Sequence, residues 1–537
     1  MQAENDKKLI AYFSMEIGID PSVQTYSGGL GILAGDTVKS FADLKIPAVA
    51  VTLLYKKGYL FQKIDEEGNQ LDLPYDWEYE NFLEPLKASV SLKLRGRDVH
   101  LKAWQYLYKG ASGYTVPVIF LDTDINTNNE EDRKITFYLY GGDEACRLLQ
   151  EAVLGIGGVR MLAEIGYDGL KKYHMNEGHS SLLAIELLKN RKIENINQPE
   201  TLSDAIARVR NMCVFTTHTP VPAGHDQFSY SLVEHILGDY ISQDILKRFA
   251  GSDKLNMTFT ALNLSRYING VAKAHGKVSR DMFPGYTVDS ITNGIHSFTW
   301  VSDSLKKIFN EYIPEWFNDP YSLRYAISIP KDKIWKAHIQ EKAKLISLVN
   351  SQNGNKFSEN IFTIGFARRS TAYKRSDLVF TDIDRLAKIC DLQGSMQFIF
   401  SGKAHPNDYY GKELIKKINN LSIQLRDKIN IVFLENYDME IARQMVAGVD
   451  LWLNTPKRPN EASGTSGMKA AHNGVPSLSI MDGWWIEGCI EGITGWAIGS
   501  VADDGQSSDA EDAASLYGKY CTGCYFLHTD IWRYVRI

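Results

Sequence analysis

"VDLWLNTPKRPNEASGTSGMKAAHNGVPSLSIMDG", residues 449–483, contains the pattern that decides the fold. It begins and ends with short apolar runs typical of buried β-strands. Between them, small and hydroxylated residues lead into an alanine-rich helix. A strand, a helix and a second strand in this order predict a parallel β–α–β unit. Lys469 is expected on the first turn of that helix.

Two interpretations of Lys469 are open from the residues alone. A lysine at a helix start is either a solvated side chain or an amine held near an anionic or electrophilic group. Glu461, Ser463, Thr465 and Ser466 place one acceptor and several donors around a glycine backbone. We favour the second interpretation, because a partly desolvated lysine among such donors can form a Schiff base with an aldehyde cofactor.

The same alternation of strands and helices runs through most of the chain. Runs such as "LIAYFSM", "AVAVTLLY" and "MCVFTTHTPV" are typical of strands in the first half, as are "IFTIGFA", "MQFIFSGKA" and "INIVFLENY" in the second. The pattern predicts an α/β protein with parallel sheets covered by helices. We expect two α/β domains, 1–295 and 296–537, with a ligand cleft between their strand carboxyl ends.

Composition excludes several other classes of protein. The 537 residues carry a formal net charge of −6, which argues against a general nucleic-acid binder. Six cysteines in a chain of this length do not form a disulfide framework, and Cys521 and Cys524 form a lone CxxC that is a weak metal signal. No signal peptide or membrane-length apolar run is present, so a cytoplasmic protein without a membrane partner is expected.

Two glycine clusters in the first half have different interpretations. "YSGGLGILAGD", residues 26–36, follows an early strand, where backbone amides can approach an anion, although a tight structural turn is equally consistent. "LGIGGVR" around Gly155 lies inside a helical pattern, so a dinucleotide-binding loop is rejected there.

Three polar segments follow predicted strands. In "HMNEGHSS", His174 and His179 are five residues apart and would not share a helical face, so no metal site is expected. We expect Asn176 and His179 instead either to be hydrogen-bonding groups of a loop or to have structural roles. His218 ends a buried strand, where a substrate role is favoured.

The third segment, "IGFARRSTAYKRSDL", places four cations after a strand and at the start of a predicted helix. They are Arg368, Arg369, Lys374 and Arg375. Cations are unfavourable at a helix N-terminus, so a bound anion would explain them, and the arginine fork suits phosphate. We favour a phosphate site over a solvated loop.

"EASGTSGMKAAHNG" closely resembles the pyridoxal-phosphate segment of the α-glucan phosphorylases, in which the lysine carries the cofactor. "YSGGLGILAGD", "HMNEGHSS", "FTTHTPVPAGHD", "ITNGIH", "FARRSTAYKR", "SGKAHP" and "LENYDMEIA" resemble further family segments in the family's order. The resemblance extends from about residue 9 to about residue 500. It implies two Rossmann-like domains facing across a cleft, the GT-B architecture.

The resemblance also implies an activity. The family transfers the terminal α-1,4-linked glucose of glycogen, starch or maltodextrin to inorganic phosphate, giving α-glucose 1-phosphate with retention. Pyridoxal 5'-phosphate acts there through its phosphate group, which exchanges a proton with the substrate phosphate. The family is often dimeric, so a homodimer is expected.

Matching segments imply roles for individual residues. The residues matched to catalysis are Lys469, Arg369, Lys374 and His218, with Arg369 and Lys374 as the clamp on substrate phosphate. Those matched to the cofactor are Lys469, Arg368, Gly29, Thr465 and Ser466. Those matched to the substrate are Gly28, Asn176, His179, His218, Asn293, Tyr373, Glu461, Ser463 and Gly464. No metal ligand is implied.

Some features differ from the animal-type enzymes. "GTSGMK" replaces "GTGNMK" and is similar to the shorter bacterial and archaeal branch. The chain begins at the first core strand, so regulation through an N-terminal extension is not expected. The segment from Leu516 to the end shows no helical period. The alternatives are a nucleotide-sugar-dependent synthase of the same fold and a non-catalytic glucan-binding protein.

Overall fold

The computed structural model describes residues 8–189, 201–352, 356–499 and 508–522. Contacts within the chain divide it into two compact units. The first unit comprises the described residues of Met1–Leu60, Pro74–Val271 and His275–Thr292. The second unit comprises those of Phe61–Leu73, Ala272–Ala274 and Asn293–Ile537. Both contain a sheet and helices, which confirms the α/β class.

Nine strands form the main sheet of the first unit. In spatial order they are Asp289–Ser290, Tyr267–Gly270, Cys213–Thr216, Lys172–Asn176, Ile10–Ser14, Ala48–Leu53, Thr115–Asp122, Arg97–Lys109 and Glu84–Leu94. The first seven pair in parallel, as predicted. The last two pair antiparallel, so the prediction of a parallel sheet is wrong at this edge. Burial alternates along Glu84–Leu94, because one face of this edge is solvated.

The helices of the first unit include the predicted helical segment that precedes strand Lys172–Asn176. They are Gly29–Asp43, Glu130–Arg133, Glu144–Ala152, Gly158–Ile165, Leu182–Lys189, Leu202–Met212, Tyr230–Leu237, Gln243–Ala250, Met257–Asn263 and, for its larger part, Lys273–Met282. A small antiparallel pair is formed by Gln227–Ser229 and Lys254–Asn256. None of the helices in the described part of the chain is both long and apolar enough to cross a membrane.

The glycine cluster around Gly155 serves packing. A π-helical turn, Val153–Gly157, joins two buried α-helices, so the rejection of a dinucleotide-binding loop is confirmed. A Cβ atom on Gly155 would lie 2.6 Å from the backbone nitrogen of Leu183, and one on Gly158 would lie 2.6 Å from the Phe13 ring. These glycines allow the helix to approach its neighbours closely.

Six strands, all parallel, form the main sheet of the second unit. In spatial order they are Asn430–Leu434, Met396–Ser401, Phe362–Ala367, Leu451–Asn454, Ser477–Ile480 and Gly495–Ile498. The first five were predicted, whereas the sixth was not. The helix Thr465–His472 connects Leu451–Asn454 to Ser477–Ile480, so the β–α–β unit predicted for residues 449–483 is confirmed.

The helices of the second unit cover this sheet. They are Ser297–Trp300, Asp303–Tyr312, Lys331–Ser351, Ile383–Gln393, Tyr409–Gln424, Met439–Gly448, Thr465–His472, Trp485–Gly488 and Asp509–Thr522, with 3₁₀ turns Pro320–Ser328, Ala372–Lys374 and Leu378–Phe380. The cations after Ala367 lie in a loop and a 3₁₀ turn, so their expected place at a helix N-terminus is wrong. The dipole argument for an anion therefore does not apply there.

A hairpin from the first half of the sequence belongs to the second unit. Its strands are Phe61–Ile64 and Gln70–Leu73. The Gln62 side chain donates to the carbonyl of Gly402 at 2.7 Å, and that of Gln70 donates to the carbonyl of Ala404 at 2.9 Å. The hairpin therefore fixes the loop that follows strand Met396–Ser401.

The C-terminal segment is helical up to Thr522, contrary to expectation. Leu516, Tyr517 and Tyr520 are buried in the core of the second unit, because the helix Asp509–Thr522 presents them on one face. Cys521 is the penultimate residue of this helix, and its predicted CxxC partner Cys524 lies outside the described residues.

Arg375 connects that helix to residues 368–375, the segment with the four cations, which we call the cation loop. Its guanidinium donates to the carbonyls of Thr455 and Pro456 and to two carboxylates of the helix's first turn. The distances are 2.7 Å to Asp512 and 2.8 Å to Asp509. Arg375 therefore has a structural role among the four cations.

We predict unequal effects of removing the two carboxylates. Asp512 is 2% exposed, so Asp512→Ala leaves the buried guanidinium of Arg375 without a buried counter-charge and should lower the free energy of unfolding by about 3 kcal/mol. The Asp509 side chain is 62% exposed, and Asp509→Ala should cost less than about 1 kcal/mol. Urea unfolding followed by circular dichroism measures both, and equal losses would contradict this account.

Candidate active site

A buried carboxylate lies between two cations in the second unit. The Glu461 oxygens accept hydrogen bonds from Lys374 Nζ at 2.8 and 3.0 Å and from the guanidinium of Arg368. Burial raises the pKa of the Glu461 carboxyl, but the charges of Arg368 and Lys374 outweigh burial and hold this pKa at about 2. Glu461 is therefore an anion throughout the physiological range.

The other contacts of the cation loop differ from residue to residue. Arg368 also donates to the Asn454 side chain, at the end of the neighbouring strand, and its buried Nε has no hydrogen-bond partner among the described residues. Arg369 is exposed. The Lys374 amine lies 4.4 Å from the ring centroid of Tyr373. Burial raises the pKa of the Tyr373 hydroxyl, but the adjacent positive charges outweigh burial and lower this pKa below its ordinary value.

The loop that supplies Glu461 leads into the helix that carries Lys469. Gly464 caps this helix with a φ of 89°, a conformation that favours glycine. The helix begins at Thr465, so Lys469 lies just beyond its first turn. Ser463 Oγ is buried and has no hydrogen-bond partner in the part of the chain that is described. The Trp452 indole donates to Ser466 Oγ at 3.3 Å.

Lys469 is 7% exposed, and its amine lies 4.0 Å from the ring centroid of Trp300. The side chain of Asn473 donates to the carbonyls of Trp300 and Lys469 and accepts from the amide of Ser302. These bonds dock the lysine helix on the segment around Trp300. Sequence reasoning missed Trp300 and Asn473, because their contacts join positions about 170 residues apart.

The donor set suits a group that carries an aldehyde and a phosphate. Lys469 offers a buried primary amine, and several buried donors have no hydrogen-bond partner among the described residues. They are Arg368 Nε, Thr371 Oγ1, Ser463 Oγ and Ser477 Oγ. A Cβ atom on Gly467 would lie 3.3 Å from Ser477 Oγ and 3.2 Å from the Trp484 ring, so glycine keeps this part of the helix open.

In the first unit, two predicted residues meet at neighbouring strand ends. His218 Nε2 lies 2.7 Å from Asn176 Oδ1, and Asn176 donates to Ser14 Oγ at 3.0 Å. Burial lowers the pKa of His218 to about 3, so its imidazole is neutral at pH 7. A neutral imidazole positioned by an amide suits a hydroxyl-bearing ligand.

Glu177, to which the sequence assigned no role, organises this loop. Its carboxylate accepts from the amides of Gly178 at 3.0 Å and His218 at 2.8 Å, and from Thr219 Oγ1 at 3.0 Å. Its backbone has a φ of 73°, which is strained for a residue other than glycine. The only sequence signal is its position between Asn176 and Gly178.

His179 belongs to a different polar cluster. Its Nε2 lies 3.1 Å from Arg147 and 3.4 Å from the Asp226 carboxylate, while its buried Nδ1 has no hydrogen-bond partner in the described ranges. Burial, with the charge of Arg147, lowers the pKa of His179 to about 3. The structure therefore does not join His179 to the pair of His218 and Asn176 by a direct hydrogen bond.

The glycine loop of the first unit has an internal carboxylate. Glu16 accepts from the amides of Ser27 and Gly28 at 2.5 and 3.2 Å, and from the Tyr140 hydroxyl at 3.0 Å. The Gly28 amide is thus engaged within the protein. Gly29 begins the following helix and is exposed, and a Cβ atom there would meet nothing within 4 Å.

Asn293 lies in the second unit, in the loop that precedes helix Ser297–Trp300. It is half-buried. Its place in the chain puts it seven residues before Trp300, the residue that contacts Lys469.

Comparisons with known proteins agree with this arrangement. The Carbohydrate phosphorylase family profile matches residues 168–491. A maltodextrin phosphorylase of Thermococcus litoralis is 39% identical over 95% of this chain and 64% of its own length. A glycogen phosphorylase of Aquifex aeolicus is 36% identical over 95% of this chain and 79% of its own length. A glycogen phosphorylase of Mycobacterium tuberculosis is 36% identical over 95% of this chain and 64% of its own length.

The chain thus spans somewhat less than two thirds of the Thermococcus litoralis and Mycobacterium tuberculosis proteins. The family match covers the strand ends around His218, the cation loop and the Lys469 helix. The profile match and the Aquifex aeolicus relative together show that this chain belongs to the carbohydrate phosphorylase family.

Proposed function

We propose that this protein is an α-glucan phosphorylase that transfers the terminal α-1,4-linked glucose of glycogen, starch or maltodextrin to inorganic phosphate, giving α-glucose 1-phosphate with retention. The observation that carries the proposal is the buried amine of Lys469 on a helix that follows directly from the Glu461 loop, in a chain of this family. Relatives named maltodextrin and glycogen phosphorylase support the substrate class.

The same proposal includes the architecture and the setting. Its two Rossmann-like domains, of the GT-B type, are residues 1–295 and 296–537, apart from segments such as Phe61–Leu73, which belong to the second unit. A homodimer and a cytoplasmic location complete the proposal.

Pyridoxal 5'-phosphate is the proposed cofactor, and its phosphate group supplies a proton donor and acceptor. Lys469 attaches it through the amine. The backbone and hydroxyls of Thr465 and Ser466 lie at a helix N-terminus, which favours a phosphate, and Arg368 adds a positive charge. Gly29 provides an open backbone for close approach.

The remaining residues bind the substrates. Arg369 and Lys374 hold inorganic phosphate, and the anionic Glu461 keeps the Lys374 amine in place. His218 is neutral and hydrogen-bonds the glucosyl unit from a position set by Asn176. Further proposed contacts of the glucosyl unit are Gly28, His179, Asn293, Tyr373, Ser463 and Gly464.

We predict that the purified protein, supplied with pyridoxal 5'-phosphate, gains the cofactor's absorbance. Borohydride reduction should then fix the cofactor's mass on the peptide containing Lys469, as mass spectrometry can measure. Lys469→Arg keeps the positive charge but cannot form the linkage, so its peptide should stay unmodified. A well-folded wild-type protein without the added mass would contradict the cofactor assignment.

The activity assay separates the candidate functions. Maltodextrin and inorganic phosphate should give glucose 1-phosphate without any nucleotide sugar. Glucose transfer that requires a nucleotide sugar would favour a synthase. Glucan binding without turnover, by protein that carries the cofactor, would favour a non-catalytic role.

Removal of one cation should weaken phosphate binding selectively. Lys374→Met deletes a charge-assisted contact worth about 1.5–3 kcal/mol, so the KM for phosphate should rise roughly 10- to 100-fold. The KM for maltodextrin should change less than about twofold. Lys417→Met is the matched control, because Lys417 is a half-exposed lysine paired with Asp377 in the same unit. Initial rates measure both variants, and equal effects would contradict the role of Lys374.

A further inference from the structure

A second loop holds the backbone of Glu461. The amide of Glu461 donates to Asp482 Oδ2 at 2.9 Å, and the amide of Gly483 donates to Asp482 Oδ1 at 2.8 Å. The amide of Trp484 donates to the carbonyl of Ser463 at 2.8 Å. Residues 482–484 thus fasten the Glu461 loop at two points.

Close packing keeps the two loops in this register. Gly483 has a φ of 57°, and a Cβ atom there would lie 2.4 Å from the carbonyl of Ser463. The Trp484 ring lies against Gly464 and Gly467, where a Cβ atom would come within 3.4 and 3.2 Å of it. Only a glycine at position 483 allows the loops to approach so closely.

The two amide hydrogen bonds to Asp482 favour its charged carboxylate. Asp482 is 4% exposed, and burial raises the pKa of its carboxyl to about 6. The two amide bonds and Arg458 oppose this shift, while the charge of Glu461 adds to it. Above pH 6 both oxygens accept an amide hydrogen. As the pH falls below this pKa, one oxygen increasingly carries a proton and becomes a weaker acceptor for a buried amide.

We propose that Asp482 is a positioning residue for the anion site: its charged carboxylate fixes Glu461, which holds Arg368 and Lys374 ready for an oxyanion. Protonation of Asp482 loosens the Glu461 loop and weakens oxyanion binding. This inference rests on the proposed phosphate site and adds the residue that sets its geometry and its acid limit.

The test measures binding of sulfate, an oxyanion that does not titrate between pH 5 and 8, to the cofactor-loaded protein. The quantity compared is the ratio of the sulfate dissociation constants of variant and wild type, because titration of the cofactor cancels in it. Asp482→Asn removes the charge and turns a donor toward an amide. We expect a ratio of about ten at pH 7.5, falling toward one at pH 5.

Two further variants complete the design. Asp450→Asn is the matched control: Asp450 is also buried, accepts the amide of Thr363 at 2.7 Å and pairs with Lys342, but at the start of a strand. The ratio of the sulfate dissociation constants of Asp450→Asn and wild type should be close to one at every pH. Asp482→Glu keeps the charge and should retain a sulfate affinity that falls with acid, even if Asp482→Asn does not fold.

The outcomes separate this inference from the proposed function. Wild-type protein that binds no sulfate and forms no glucose 1-phosphate would overturn both. An active wild type with an Asp482→Asn ratio near one at pH 7.5, or equal at pH 7.5 and 5, would overturn the role of Asp482 alone. Loss of acid sensitivity in Asp482→Glu would overturn it as well.

Discussion

The second unit is organised around the desolvated charge of Glu461. A buried carboxylate without partners costs several kcal/mol, so Glu461 is stable only where Arg368 and Lys374 meet it. The sheet makes this meeting possible, because strands Phe362–Ala367 and Leu451–Asn454 are neighbours and parallel. Their carboxyl ends place the cation loop beside the Glu461 loop. Two cations against one carboxylate leave positive charge at this edge, which favours an oxyanion.

Each unit places an internal carboxylate on groups that would bind an anion. In the first unit, Glu16 occupies the amides of Ser27 and Gly28. In the second, Glu461 accepts hydrogen bonds from both Arg368 and Lys374. These carboxylates order the binding groups before a ligand arrives, which reduces the conformational entropy lost on binding. They also restrict the site to ligands that add contacts beside the carboxylate or share its partners.

The parts of the site that follow strands were predictable, because polar residues after a buried strand must lie at the sheet's edge. His218, Arg368 and Lys469 were predicted from that pattern together with the resemblance. The prediction of a helix after the cations is wrong. Two 3₁₀ turns lie there instead, and Arg375 binds the C-terminal helix. Trp300 had no local signal, and the position of Asp482 after a predicted strand gave no sign of its contact with Glu461. Their roles arise from tertiary contacts that no periodicity encodes.

The residues proposed to bind sugar and those proposed to bind phosphate differ in charge state. In the first unit, burial keeps His218 and His179 neutral, so they can only exchange hydrogen bonds. In the second, the neighbouring charges of Arg368 and Lys374 hold the pKa of Glu461 low, so its carboxylate stays charged. Neutral donors discriminate among hydroxyl groups at little desolvation cost, whereas fixed charges stabilise phosphate. The proposed sugar and phosphate sites therefore require different burial environments, and a separate sheet for each can provide them.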